Sequence, residues 1–450
     1  MAPYFFVESS SLLNPMAMHR GLSILVCFSC SVISVVSLVN FLYSPPQKKA
    51  YTTEDTEAHP DQGKKGKATS ISGSEEPRAQ AVIERARAAL RKGDRKSALA
   101  ILASIPEKDG AGHFAAGQML VGEKAYAEAA REFGLARRTY QDRYAAGYDQ
   151  ALAFVNAGDY SSAIQTANEL LNQGYQTAEL AAVAATAYLK NGLTQQAYNA
   201  WRLATHLDPK NEDGYLGLCE IALDRDNYDL GLEVANIGLT HLPGSERLYV
   251  QRGVMHAMKG QFSEAEQDFT TSAKLAPKDS LPVVATALVS MQTGHLDKAV
   301  ELLRQASKQD PDDYFALYWF AEALLHAGAV PGSREGDEAL AALQASIRNN
   351  PDFWHSRSDL GKVLLSRGEV DGAIEQLEKA AELNPQASSP LYLLAQAYRR
   401  KGNEAKAAEL AARVSAMQTE EREAQTLPQA TLKQLVKEGT TSSSSDRGKH

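Results

Sequence analysis

The residues of this chain that could carry chemistry are its ten histidines, its three cysteines and its charged side chains. None of them falls into a motif with an established chemistry. The sequence has no His-Glu-x-x-His, no Gly-x-x-x-x-Gly-Lys-Ser/Thr, no Gly-x-Ser-x-Gly and no four-cysteine spacing typical of zinc. His206 and His241 fall near the ends of predicted helices, where a cation is favourable, and Cys219 is predicted to be a buried small apolar residue. The sequence therefore predicts no catalytic residue, no metal ligand, no cofactor and no small-molecule substrate.

The helices that position these residues can be predicted from the spacing of a small residue, which recurs at a fixed interval. The interval is 34 residues, with one step of 40 residues, and the members of the series are Gly117, Ala151, Ala185, Cys219, Gly253, Ala287, Ala321, Gly361 and Ala395. A second small residue follows twelve residues after these anchors, at Ala129, Ala163, Ala197, Gly231, Ala265, Ala299, Ala373 and Ala407, with Ala339 displaced by an insertion. Two antiparallel helices cross closely only where neither carries a bulky side chain. The period therefore predicts stacked helix-turn-helix units.

Glycine and proline mark the ends of the predicted helices. A glycine falls seven residues after most anchors, where a left-handed residue ends the first helix, at Gly158, Gly192, Gly260, Gly294, Gly328, Gly368 and Gly402. A proline follows the second helix in most units, as at Pro209 and Pro277. Lys124 and Asp226 replace the glycine in two units, which we expect to be less regular than the others.

These features resemble the tetratricopeptide repeat family. The matching spans include Trp201-Arg-Leu-Ala-Thr-His-Leu-Asp-Pro209, Gly361-Lys-Val-Leu-Leu-Ser-Arg-Gly368 and Ala299-Val-Glu-Leu-Leu-Arg-Gln-Ala306. The resemblance covers residues 80–417 and implies an all-α fold, a right-handed α-solenoid of about ten units. The first unit, Ala81 to Pro106, is degenerate, as expected at the end of a solenoid. The family shares a scaffold rather than a partner, so the resemblance by itself names no function.

Composition agrees with one elongated folded domain. Hydrophobic residues make up 44% of the chain and charged residues 23%, which is typical of a soluble folded protein. The net charge of -8 is mild and mixed in sign, which argues against nucleic-acid binding. Because a solenoid buries its core between neighbouring units, a length of 450 residues requires no division into several globular domains.

The N-terminal region differs from the repeats. After a flank of residues 1–20, Gly21 to Tyr43 contains no charged residue in 23 positions, which is long enough to span a membrane as a helix. Two interpretations remain open. We favour an uncleaved transmembrane anchor because the apolar run continues past Ser37; the other is an export signal cleaved near Val35-Val36-Ser37. We expect the repeats to be extracytoplasmic, in the periplasm; a cytoplasmic orientation and an exported soluble protein are the alternatives.

Segments with little apolar surface flank the repeats. Residues 44–79 are predicted to be a disordered tether. Residues 418–450 form a polar tail, in which residues 428–438 carry leucines at helical spacing and are predicted to cap the last unit or to dock into a partner. Within the repeats, Ala329 to Asp337 is predicted to be a surface loop created by a six-residue insertion.

The first helices of successive units are expected to line a concave groove. In the family, residues three before, one after and four after the anchor point into it, and our candidate groove residues are Tyr148, Leu152, Leu216, Val250, Val254, Val284, Leu288, Met291, Phe315, Tyr318, Leu325, Lys362 and Arg399. Such a predominantly apolar surface would accept an apolar helix or an extended segment of another protein. Alternatively, half of these side chains pack against neighbouring helices. Lys362 and Arg399, at the C-terminal end, favour an acidic partner element.

The functional hypothesis is a membrane-tethered scaffold that binds other proteins, in a bacterial cell envelope. Membrane contact is assigned to Gly21–Tyr43, and neither nucleic acid nor a small molecule is expected as a partner. The alternative is a non-catalytic regulatory or accessory subunit of an envelope-biogenesis or glycosyltransferase complex. In both cases the chain is not expected to be an enzyme, because a regular array does not supply the convergent polar groups of an active site.

Overall fold

The computed structural model describes residues 76–417, with side chains from Arg78 onward, and every regular element in these residues is an α-helix. The twenty helices are α1 Glu76–Arg91, α2 Arg95–Leu102, α3 Gly110–Gly122, α4 Tyr126–Thr139, α5 Arg143–Ala157, α6 Tyr160–Asn172, α7 Ala178–Lys190, α8 Thr194–Leu207, α9 Glu212–Asp224, α10 Tyr228–His241, α11 Glu246–Met258, α12 Phe262–Leu275, α13 Leu281–Gln292, α14 Leu296–Gln309, α15 Tyr314–His326, α16 Arg334–Asn349, α17 Trp354–Ser366, α18 Val370–Leu383, α19 Ser388–Arg400 and α20, residues 404–417.

Several predictions for the ends of the chain lie outside the described residues. They are the membrane segment Gly21–Tyr43, nearly all of the tether at 44–79, the tail at 418–450 and its capping helix at 428–438. The predicted boundary at residue 80 falls inside α1, which begins at Glu76. Among the twenty helices that the structure describes, none is both long enough and apolar enough to cross a membrane.

The helices form ten antiparallel pairs, in which an odd-numbered helix is followed by an even-numbered one. Each helix packs against its chain neighbours, both within a unit and between units. Beyond chain neighbours, the marked approaches between adjacent units within residues 76–417 all join two odd-numbered helices, such as α9 with α11 and α17 with α19. The odd-numbered helices are therefore closer together than the even-numbered ones, and they form the inner surface of the stack. We call this surface the inner face.

The two columns of small residues lie where the sequence places them, at helix crossings. Ala151, Ala185 and Cys219 in the first column, and Ala163 and Ala265 in the second, have no exposed surface. Where the first column has glycine, a large side chain from the second helix fills the space. A Cβ atom added to Gly253 would lie 2.6 Å from the Phe269 ring, and one added to Gly361 would lie 2.5 Å from Leu377 Cγ. Close crossing therefore selects the residue type at these positions.

The turns within units are also as predicted. The seven glycines that end first helices all have positive φ, between 74° and 93°. Lys124 and Asp226 adopt the same left-handed conformation, with φ of 58° and 52°, and are the only non-glycine residues with positive φ in residues 76–417. The expectation that their units are less regular is wrong at these turns, because both residues accept the strained conformation and the chain continues into a second helix of ordinary length.

Polar side chains at the starts of odd-numbered helices connect adjacent units. Thr177 and Ser245 cap α7 and α11, where each side-chain oxygen accepts a hydrogen bond from a backbone N–H in the first turn. Ser245 also donates to Glu212 Oε1 at 2.5 Å, and the Tyr144 hydroxyl is 2.6 Å from Thr177 Oγ1. Each of these bonds joins residues 33 apart, and so links one unit to the next.

The insertion is partly a loop and partly an additional helical turn. Ser333 caps α16, which begins at Arg334 and has 16 residues. The predicted surface loop from Ala329 to Asp337 is therefore wrong in its second half, since Arg334 to Asp337 are helical. The sequence between Ser333 and Asp337 explains this result, because a serine cap followed by two acidic residues in the first turn favours a helix start.

Most of the buried apolar side chains of the described residues fall into three clusters. The first extends from Ile83 to Ala153 and includes the degenerate first unit, whose Ala86 and Ala98 are fully buried. The second is small and consists of Ala167, Leu170, Leu180 and Ala184 on α6 and α7. The third extends from Ala181 to Ala407. The core is thus continuous over the C-terminal units and narrow at α6 and α7.

Candidate functional site

Most of the candidate groove residues are core residues. Seven of them, Leu216, Val250, Val254, Val284, Leu288, Phe315 and Tyr318, are at most 9% exposed. The prediction that they form an exposed apolar surface is wrong, and the alternative that they pack against neighbouring helices applies to them. The reason is packing: all seven side chains belong to the continuous apolar cluster of the C-terminal units and fill the space between neighbouring helices.

The other candidates keep some accessible surface. Tyr148, Leu152, Met291 and Leu325 are half-buried, whereas Lys362 and Arg399 are exposed. The inner face also presents Tyr392, which is 57% exposed and was missed by the sequence analysis. Its position three before the anchor Ala395 is the same as that of Tyr318, so the repeat spacing could have identified it.

Half-buried carboxylates are a second feature of the inner face that the sequence analysis did not single out. Asp149 and Asp359 stand two residues before their anchors, and Glu220 and Glu322 stand one residue after theirs. All four are intermediate in exposure. Glu220 and Glu322 occupy the same column of the repeat as Val254 and Leu288, so the repeat spacing places them on the inner face although they are not apolar.

Burial disfavours the charged form of these carboxylates. It raises the pKa of Asp149 to about 6, with a further contribution from nearby Asp142. Burial likewise raises the pKa of Glu220, against the opposing effect of Lys190. The pKa of Asp359 is raised well above its ordinary value, first by burial and then by the negative charge of Glu322. The inner face therefore contains carboxylates that have lost much of their water and that gain from a positive charge brought to them.

The most concentrated group of polar side chains lies between α15 and α17. The Tyr318 hydroxyl lies beside the Asp359 carboxyl group and tends to lower its pKa, against the larger effect of burial. Glu322 Oε2 is 3.6 Å from His326 Nε2, whereas Glu322 Oε1 and His355 Nδ1 are buried and have no hydrogen-bond partner. Burial lowers the pKa of His355 to about 4, so this ring is neutral at physiological pH.

Aromatic rings surround the same group. The His355 ring stacks on Trp354, with centroids 3.7 Å apart, and lies 4.9 Å from Phe353. The Tyr318 ring is 5.2 Å from Phe353 in an edge-to-face arrangement. We refer to Tyr318, Glu322, His355 and Asp359 as the aromatic–acidic cluster.

An open depression of about 550 Å³ lies beside the insertion, between α14 and the loop that precedes α16. Its lining is mixed: Val300 and Val330 are apolar, and Asp297, Arg304 and Glu335 are charged. Its lining includes no residue of the aromatic–acidic cluster. Within residues 78–417, no three His, Cys, Asp or Glu side chains are placed to hold a metal ion together.

Stacked helix pairs, small residues at every crossing and an inner face of first helices define an α-solenoid built from helix-turn-helix repeats. Two segments match family models: residues 284–336 match the model described as tetratricopeptide repeat, and residues 361–402 match the model described as TPR repeat. The chain therefore contains tetratricopeptide repeats.

Curated relatives share its repeats over part of their length. The chain is 23% identical over 264 residues to Superkiller complex protein 3 of Homo sapiens, an alignment that covers 55% of this chain and 16% of that protein. It is 23% identical over 253 residues to BBSome complex member BBS4 of Bos taurus, which covers 55% of this chain and 46% of that protein. The chain therefore spans less than half the length of either relative. The crystal structure of yeast Tom70 is similar with a TM-score of 0.49 and 14% identity, over 80% of this chain and 97% of that one.

Proposed function

We propose that this protein is a non-catalytic scaffold that binds another protein along its inner face. The observation that carries the proposal is the row of half-buried carboxylates, exposed cations and exposed Tyr392 on the odd-numbered helices. Polar groups that are neither fully hydrated nor fully paired lose little water when a partner binds. They therefore contribute more binding free energy than fully hydrated charges do. The names of two relatives, each a member or component of a complex, support a role in assembly.

The location that we propose is a bacterial cell envelope. A transmembrane anchor at Gly21–Tyr43 would hold the protein at the membrane, with the repeats outside the cytoplasm. The length of the uncharged run and its resemblance to export signals support this proposal. An exported soluble form is the alternative.

Capture from the native membrane tests the binding proposal. The full chain carrying Lys362→Glu and Arg399→Glu reverses two exposed charges on α17 and α19, on the inner face. We expect the proteins that co-purify with the unchanged chain to be lost or strongly reduced, because like charges at an interface repel and groups that were paired lose their partners.

A matched variant controls for the change of net charge. Arg131→Glu and Lys379→Glu alter net charge by the same amount at exposed positions on the even-numbered helices α4 and α18. Co-purification should be retained with this variant. Equal loss with both variants, or with neither, would contradict the assignment of binding to the inner face.

A further inference from the structure

The described chain supplies an arginine to the carboxylates that it buries most completely. Asp268, 5% exposed, receives two hydrogen bonds from Arg252, at 2.9 and 2.6 Å. Glu128, 6% exposed, is paired with Arg95 from the preceding unit. A guanidinium group suits this task because its planar donors match the carboxylate geometry.

The aromatic–acidic cluster has carboxylates and no such arginine. Within residues 78–417, neither Glu322 nor Asp359 has a lysine or arginine nitrogen within 4.0 Å. Glu322 Oε2 has only His326 Nε2, at 3.6 Å, and Asp359 lies beside the Tyr318 hydroxyl. Lys362 influences Asp359 electrostatically from an exposed position beyond ion-pair distance. Two carboxylates on neighbouring helices thus lie close enough to repel each other and lack a cation between them.

The remaining groups of the cluster are those that a guanidinium group uses. Glu322 Oε1 and His355 Nδ1 are unpaired, and each can accept a hydrogen bond from an N–H donor. The half-buried rings of Phe353 and Trp354 supply aromatic surface, on which guanidinium stacks better than ammonium does. His355 is neutral and adds no repulsion.

We propose that Glu322, His355 and Asp359 of this cluster bind the side chain of an arginine on the partner protein. This inference rests on the proposed function, because it assigns one specific contact within a protein-binding inner face. The partner would then carry both an arginine, for this cluster, and acidic residues, for the exposed cations Lys362 and Arg399. Charge complementarity and unpaired acceptors select the occupant.

A peptide library displayed on phage tests the inference with the full chain as bait. We expect the peptides selected by the unchanged chain to share an arginine. Their affinity should fall about tenfold or more on the double variant Glu322→Gln, Asp359→Asn, which keeps the shape of both side chains and removes their charge. Replacing the shared arginine of the peptide with citrulline, which is neutral and similar in shape, should cause a loss of the same order, and replacement with lysine a smaller loss.

A control variant and a stability measurement separate binding from folding. Glu233→Gln with Glu375→Gln makes the same change of charge at exposed sites on α10 and α18, and should leave peptide affinity unchanged. Thermal unfolding of the Glu322→Gln, Asp359→Asn variant should occur at or above the temperature of the unchanged chain, because two poorly hydrated charges are removed.

The outcomes distinguish the inference from the proposed function. Two results would overturn the arginine site and leave the scaffold proposal intact. In one, the selected peptides bind at the surface formed by Lys362 and Arg399 but lack arginine. In the other, they bind the Glu322→Gln, Asp359→Asn variant as tightly as they bind the unchanged chain. A library from which nothing binds the inner face counts against both.

Discussion

At the scale of single residues, Lys124 and Asp226 hold a left-handed backbone that glycine holds in the other units. A side chain in this conformation costs roughly 1 kcal/mol, because Cβ approaches the following carbonyl oxygen. Lys124→Gly should therefore raise the free energy of unfolding by about 0.5–1 kcal/mol, measured by urea denaturation. Asp226→Gly should gain less, because it also removes the hydrogen bond that the Tyr228 hydroxyl donates to Asp226 at 2.7 Å.

The reverse substitution is the control for these turns. Gly192 has φ of 77°, and a Cβ added there would meet no atom within 4 Å. Gly192→Ala should therefore destabilise the protein through backbone strain alone, by about 1 kcal/mol. If Gly192→Ala and Lys124→Gly shift stability in the same direction, strain does not govern these turns.

A second prediction at the residue scale concerns Asp149. Burial raises the pKa of Asp149 from 3.8 to about 6, so the folded protein holds this proton more tightly than the unfolded chain does. The stability that this group contributes is present below its unfolded pKa and is lost as pH rises through about 6. Asp149→Asn should therefore raise the free energy of unfolding by about 1–2 kcal/mol at neutral pH, a value reduced for partial solvent screening, and by almost nothing near pH 4.

Thermal unfolding over this pH range measures the Asp149 effect. Asp352→Asn, at an exposed turn position, should change stability little at either end of the range. A gain for Asp149→Asn that is independent of pH would contradict the titration of Asp149 as its source.

At the scale of helices, the crossings depend on the second column of small residues. Ala265 and Ala299 are fully buried on α12 and α14. Ala265→Leu or Ala299→Leu should overpack the crossing and cost about 1–3 kcal/mol, measured by denaturant titration. Ala341→Leu, at an exposed position on α16, adds the same volume and should be close to neutral. A parent-like midpoint for both buried variants would be incompatible with close crossings at this column.

Some features of the helices could be predicted from the sequence and others could not. The crossings, the turns and the number of units were predictable, because a single steric requirement decides the residue type at each of these positions. The exposure of the inner face was not, because it depends on the distance between neighbouring odd-numbered helices, which the period leaves open. Val254 and Leu288 were for this reason taken as groove residues although they are core.

The aromatic–acidic cluster illustrates the same limit. Glu322 and Asp359 come from different units, 37 positions apart, and belong to different columns of the repeat. Their proximity depends on how α17 follows the lengthened α16, since the insertion lies between them. A column-by-column comparison of the sequence identifies each carboxylate but does not bring the two together.

At the scale of the whole molecule, the membrane proposal makes a prediction about orientation. A reporter that is active only outside the cytoplasm, fused after His450, should be active, because the proposed anchor at Gly21–Tyr43 places the repeats on that side. A reporter active only in the cytoplasm, fused at the same site, should be silent. The opposite pair of results would reverse the orientation and favour the regulatory-subunit alternative.

The narrow part of the core at α6 and α7 has a mechanical consequence. Stacked repeats bear an axial load in series, and the joint that buries the least apolar surface yields first. At α6 and α7 the fully buried cluster is Leu170 and Leu180 with two alanines, packed against the partly buried Tyr144, Tyr148 and Tyr188, whereas larger clusters lie on either side of it. We predict that a chain stretched between its two ends lengthens first at α6 and α7, before the larger clusters on either side unfold. In an optical-trap record this would appear as an early extension before the main rupture, so the protein could give way under tension without releasing what is held at its C-terminal units.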